Sequence, residues 1–270
     1  MSPSAGGSTM VEKTALSSAT DRVLIMPFRK GGATGYDLAV TSPEATVEDY
    51  LTALDTGARR LVLTRSRNPG GRCQGCAGCC AERVPLTAID FRQLTGCRDM
   101  TGEAFRLLTD VHVAAPGVDI VLKRDESGRC ALFDPARGLC RVYHARPFVC
   151  RTFICCPASR RAAELRAAVT NAGEDELVRL LLRERSFPGV DPADWRPNAF
   201  TGRWHYREVR LRDCVTPSLW RRLYRPGREK GRGERGAAGH QSPANPAPAR
   251  KHSARAAPLA KASPFSSRPR

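Results

Sequence analysis

Four cysteines stand within eight residues, Cys73, Cys76, Cys79 and Cys80, and three more follow at wide intervals, Cys130, Cys140 and Cys150. Thiolates repel one another unless a cation or a covalent bond holds them, so the cluster reads either as a disulfide framework or as a metal site. Disulfides belong to oxidising compartments. The start of the chain, Met1 to Ser8, is polar, and the early apolar run Val23-Leu24-Ile25-Met26 is too short for a signal core or a membrane span. The expectation is therefore a cytoplasmic protein with reduced thiols and no membrane association, in which two CxxC steps sharing one residue bind metal.

Tetrahedral zinc takes four sulfur or nitrogen ligands. A four-iron cluster takes three cysteines at two-residue gaps and a remote fourth. Seven cysteines exceed one four-ligand site, and the adjacent Cys79 and Cys80 point in different directions. A binuclear site, or a cluster with a second metal, is the natural inference, with zinc and iron–sulfur both open. The metal ligands expected are Cys73, Cys76, Cys79, Cys80, Cys130, Cys140 and Cys150. Gly75 and Gly78 allow tight bends that aim N–H groups at sulfur. Arg72, Arg129, Arg141 and Arg151 each adjoin a cysteine, where they either offset thiolate charge or lie as solvated surface charges. His144 reads as a surface residue, His112 and His205 as structural, and Cys97 and Cys214 as plain thiols.

These residues need a frame. The chain has 270 residues, 41% of them hydrophobic, and a formal net charge of +17. That is apolar material for one real core. Residues 225–270 hold eleven Lys/Arg against two Glu, about half of the net charge, in a stretch rich in Ala, Pro and Ser with one aromatic. This tail is expected to be disordered, as are residues 1–20. It reads as a solubilising extension, or as a contact for an acidic partner or nucleic acid.

Between these ends, Arg22–Phe28 reads as a strand. Lys30–Gly35, without Walker spacing, reads as a hairpin turn into Tyr36–Val40. Ser42-Pro43 is expected to start a helix that Gly57 ends, and Arg60–Thr64 reads as a strand. Thr87 and Asp90 resemble a capping box for a helix closed by Gly96. A short helix is expected from Glu103 to Thr109. Val118–Lys123 alternates like a strand that turns back at Asp125–Gly128 into Cys130–Phe133. Pro147 opens a helix whose first turn carries Cys150, where unpaired N–H groups favour a thiolate. Two further helices are expected at 162–169 and 174–183, and a closing segment at 190–224. The fold class is α+β: a small, irregular, cysteine-rich metal-binding domain with short helices and β-hairpins. The organisation expected is an α/β extension at 21–66, a cysteine core at 67–156 and a helical closing segment at 157–224.

The run Cys73-x-x-Cys76-x-x-Cys79-Cys80, the step Pro85-Leu86-Thr87, then Cys130, Cys140-Arg141-Val142-Tyr143 and Arg146-Pro147-Phe148-Val149-Cys150-Arg151 resemble the CxxCxxCC cysteine-cluster family over residues 70–156. The resemblance implies zinc or iron chelation, with Tyr143 and Arg146 supporting the ligands. One branch resembles flagellin lysine N-methylase, which implies an enzymatic alternative, although no glycine-rich methyltransferase loop is present. Where the family runs Cys-Arg-x-Phe/Tyr-Pro, this chain reads Cys150-Arg151-Thr152-Phe153-Ile154-Cys155-Cys156-Pro157. The last two thiols either complete the site or are incidental. The reading is thus a metal-binding protein with a structural or redox role, with a protein-modifying enzyme and a nucleic-acid-associated zinc module as alternatives.

Overall fold

Strand β1 (Val23–Lys30) returns as β2 (Ala33–Val40) in an antiparallel hairpin from Val23↔Val40 to Lys30↔Ala33. The turn is Gly31-Gly32, both with positive φ, the two-residue connection that matches strand twist. The computed structural model describes residues 22–68, 76–97, 99, 100 and 102–226.

Helix α1 (Val47–Arg60) begins later than the Ser42-Pro43 signal suggests. Thr46 and Asp49 form a reciprocal capping box, whereas the Ser42 hydroxyl is used locally by the Glu44 N–H. Gly57 does not end this helix. It lies inside it, where a Cβ would meet the Ile25 side chain at 2.7 Å, so it lets α1 approach β1. Residues 61–64 form no strand; Thr64 exchanges hydrogen bonds with Thr34 instead.

Helix α2 (Ala88–Thr95) carries the expected Thr87/Asp90 box and ends at Gly96 in the left-handed region. Helix α3 (Glu103–Leu108) runs straight into β3 (Thr109–Ala114), which pairs with β4 (Gly117–Leu122). The sequence reading did not include β3 as a strand. Its outer half is exposed on both faces and shows no burial-driven alternation. The segment 84–86 lies along β4, with Leu86 N–H donating to Ile120 O at 3.1 Å and Leu122 N–H to Val84 O at 2.8 Å. A two-residue ladder, β5 (Phe133–Asp134) with β6 (Leu139–Cys140), leads to the short helix α4 (Phe148–Thr152).

The two helices expected at 162–169 and 174–183 are one helix, α5 (Arg160–Leu182). Gly173 does not break it, because it is the crossing point: a Cβ there would stand 2.5 Å from Thr87 Cγ2. Irregular turns and α6 (Pro217–Leu223), capped by Thr216, close the chain over one core that draws on residues from Val23 to Leu223. Among the described residues this is an α+β architecture of mostly short helices, the long α5 and three two-stranded ladders. Residues 1–20, and 225–270 except Arg225 and Pro226, lie outside the described residues. Arg225 N–H donates to Val40 O at 2.7 Å. No helix among the described residues is long and apolar enough to cross a membrane.

Candidate metal centre

The two cysteine stretches meet through the backbone. Cys130 N–H donates to Cys80 O at 2.7 Å, and the Arg124↔Cys130 bridge folds residues 123–131 back on themselves. Cys140 arrives on β6 and Cys150 in the first turn of α4. As a result Cys76, Cys79, Cys80, Cys130, Cys140 and Cys150 line one cavity with Val84, Leu122, Leu132, Phe133, Phe153, Tyr143 and Arg146. Cys73, with Arg72 and Gly75, lies outside the described residues. The ten described cysteines form no disulfide.

The interior of the cavity is about 60 Å³, room for roughly four to six water-sized bodies. Among the described residues, no three of His, Cys, Asp and Glu converge as a preformed chelate. The donor chemistry nevertheless fits a soft metal: several thiols in an apolar enclosure, with Leu132 N–H directed at Cys130 Sγ at 3.4 Å.

The surroundings shift the cavity thiols in opposite directions. Cys79 is held above its ordinary value, first by its hydrogen bond with Cys80 and then by burial, and the same bond holds Cys80 below its own. Burial raises Cys130 and Cys150; their neighbouring cysteines raise them further, while Arg146 draws Cys150 down. Arg146 stacks on Tyr143 at 4.1 Å and its Nε–H donates to Tyr143 O, so both residues named as supports do line the cavity.

The other arginines have different tasks. Arg151 turns from the thiols to α1, within 3.4 Å of Asp55 and 3.6 Å of Glu48. Arg129 covers the Phe133 ring at 5.1 Å, and Arg141 is exposed. Arg67, absent from the sequence reading, bonds Gly78 O and Glu82 while resting over Phe153 at 5.6 Å. It thereby fastens the end of the CxxCxxCC loop to a wall of the cavity, and no motif marks it. Cys155 and Cys156 do not line the cavity. The Cys155 carbonyl takes the Ser66 N–H at 2.7 Å, and Cys156 packs against the core. The thiols of Cys97 and Cys214 donate to Thr95 O and Arg210 O. His144 is exposed, edge-on to Tyr143.

Fold and cavity together define a cysteine-rich metal-binding domain. Residues 72–171 match the model of the CxxCxxCC family, described as a "putative zinc- or iron-chelating domain". The match runs beyond residue 156, where the resemblance in the sequence stops, into the first half of α5. No curated protein and no solved structure matches the chain.

Proposed function

We propose that Cys76, Cys79, Cys80, Cys130, Cys140 and Cys150, together with Cys73, bind a multi-metal centre, either zinc thiolate or iron–sulfur, and that the domain has a structural or redox role. One observation carries this reading: six cysteines from segments some fifty residues apart line a single cavity. Its interior exceeds one ion, and seven sulfurs exceed one tetrahedral set. Bound metal would neutralise the thiolates and tie loops 76–83, 130–143 and α4 to one another. In such loop-rich modules that linkage is a large part of the folding free energy.

The nucleic-acid alternative rests on residues 225–270, almost all of which lie outside the described residues.

The test is anaerobic purification of the reduced native chain, followed by metal analysis and a visible spectrum. Broad visible absorption with iron and inorganic sulfide means a cluster; a colourless protein with two zinc ions means a binuclear thiolate site. Cys76→Ser is expected to lower the metal content by at least one ion per chain. Native protein without stoichiometric zinc or iron refutes the reading.

A further inference from the structure

Helix α4 brings Cys150 to the cavity, yet it has no cap of its own. Pro147 occupies its N-cap and offers no side-chain acceptor. The first N–H of the helix, that of Phe148, is buried and donates at 2.8 Å to Oδ1 of Asp90, 58 residues upstream. That oxygen also accepts from the Tyr206 hydroxyl at 2.6 Å. The other carboxylate oxygen, Oδ2, accepts from Thr87 N–H at 3.0 Å and closes the capping box of α2. Tyr206 OH stands 2.7 Å from Thr87 Oγ1, so the hydroxyls and the carboxylate form a closed buried network. Asp90 is 2% exposed and Tyr206 1%.

One carboxylate thus caps two helices. Helix α2 follows the segment that carries Cys79 and Cys80 and is pinned to β4; α4 carries Cys150. We propose that Asp90 is a positioning residue for the metal centre: it sets the place of Cys150 relative to the early cysteines, and Tyr206 orients its carboxylate. This rests on the reading that the cavity thiols bind metal.

The two oxygens have separable roles, and asparagine separates them. In Asp90→Asn the side-chain oxygen still accepts from Phe148 and Tyr206, while the new NH2 group faces Thr87 N–H and loses that half of the α2 capping box, the Asp90 N–H to Thr87 Oγ1 half remaining. Asp90→Ala loses both. If Asp90 were only a cap for overall stability, the two variants would behave alike at Cys150.

The experiment uses the full chain and two readouts. In the reduced, metal-free protein, iodoacetamide labelling of Cys150 is timed by mass spectrometry against Cys97. In the cobalt(II)-loaded protein, the thiolate-to-cobalt charge-transfer band is measured. Asp90→Ala is expected to speed Cys150 labelling by about tenfold or more, the scale of one buried hydrogen bond to a charged group, and to lower the charge-transfer band by one thiolate's share. Asp90→Asn is expected to keep both readouts near wild type while losing some stability, less than the alanine variant, because only the Thr87 N–H acceptor is removed. Equal behaviour of the two variants at Cys150, or no change with alanine, overturns the proposal. Should Asp90→Ala not fold, Tyr206→Phe takes its place: faster Cys150 labelling supports the proposal and unchanged labelling overturns it. Should wild type take up no cobalt, the metal reading fails, and the labelling arm still decides the positioning role.

Discussion

Replacing Gly35 with alanine tests how the wall of the cavity is anchored. Gly35 lies on β2 with no positive φ, so alanine is acceptable to its backbone. Space is the obstacle: a Cβ would stand 1.7 Å from Pro157 O and 2.5 Å from Pro157 C. Relief to the 3.0 Å that real Cβ contacts respect moves the chain at residue 157 by at least about 1.3 Å. That chain is held by Tyr36 N–H to Pro157 O and Ser159 N–H to Tyr36 O, both 2.9 Å, and neither bond survives such a shift. Two backbone bonds at about 1–3 kcal/mol each when left unmade, with an overpacking cost of about 1–3 kcal/mol, predict a loss of about 3–9 kcal/mol. Gly32→Ala is the control. No atom lies within 4 Å of its Cβ, and only the φ of +79° is strained, which costs about 1–2 kcal/mol. Urea unfolding of the metal-free chain reads both. Because Phe153, just upstream of residue 157, lines the cavity, Gly35→Ala is also expected to weaken metal uptake. A loss below about 1 kcal/mol for Gly35→Ala, or one no larger than that of Gly32→Ala, refutes the argument from close approach.

Two further outcomes follow from charges placed away from the cavity. Glu176 is fully buried inside α5 and paired with Arg179 at 2.7 and 2.8 Å, so Arg179→Ala is expected to cost about 3–5 kcal/mol while Glu176→Leu with Arg179→Met recovers most of it; chemical denaturation of the single and double variants checks this. Asp37 ties β2 to α5 through Arg161 at 2.6 and 2.8 Å. Burial raises its carboxyl, but bonds from Arg161, Ser159 and the Leu38 N–H outweigh it and hold the group below its ordinary 3.8. A depressed carboxylate contributes stability above its unfolded value and loses it as pH falls through the folded one. The gap in unfolding free energy between wild type and Asp37→Asn is therefore expected to be constant above about pH 5 and to narrow below 3.8; a gap independent of pH down to 2 contradicts the assignment.

The local signals in the chain were strong where they were self-contained. The Thr87/Asp90 box, the helix end at Gly96 and the place of Cys150 in the first turn of a helix are each decided within a few residues, and each appears in the structure, whereas the hairpin turn expected over Lys30–Gly35 is only Gly31-Gly32, with residues 33–35 already in β2. The spacing of the cysteines announced metal chemistry for the same reason: ligand steps of two residues reflect what one loop can wrap around one ion. Glycine was legible only in part. Gly57 and Gly173 look like helix ends in one dimension, and only the neighbours that press on them, Ile25 and Thr87, explain why they lie inside helices.

What sequence could not carry is distance between remote residues. The excursion of 50 residues from Cys80 to Cys130 is closed by β4 and a backbone hydrogen bond, and neither leaves a mark in the cysteine pattern. Cys155 and Cys156 stand outside the cavity because their contacts lie elsewhere, the Cys155 carbonyl on Ser66 N–H and the Cys156 side chain on the core. Asp90 read as a cap for its own helix, yet tertiary packing gave its second oxygen to another helix and to Tyr206. Residue types and short spacings determine which chemistry is available, because they act through covalent neighbours. Only the packed core determines which of those groups share a site, because burial and hydrogen bonding join residues the chain keeps far apart.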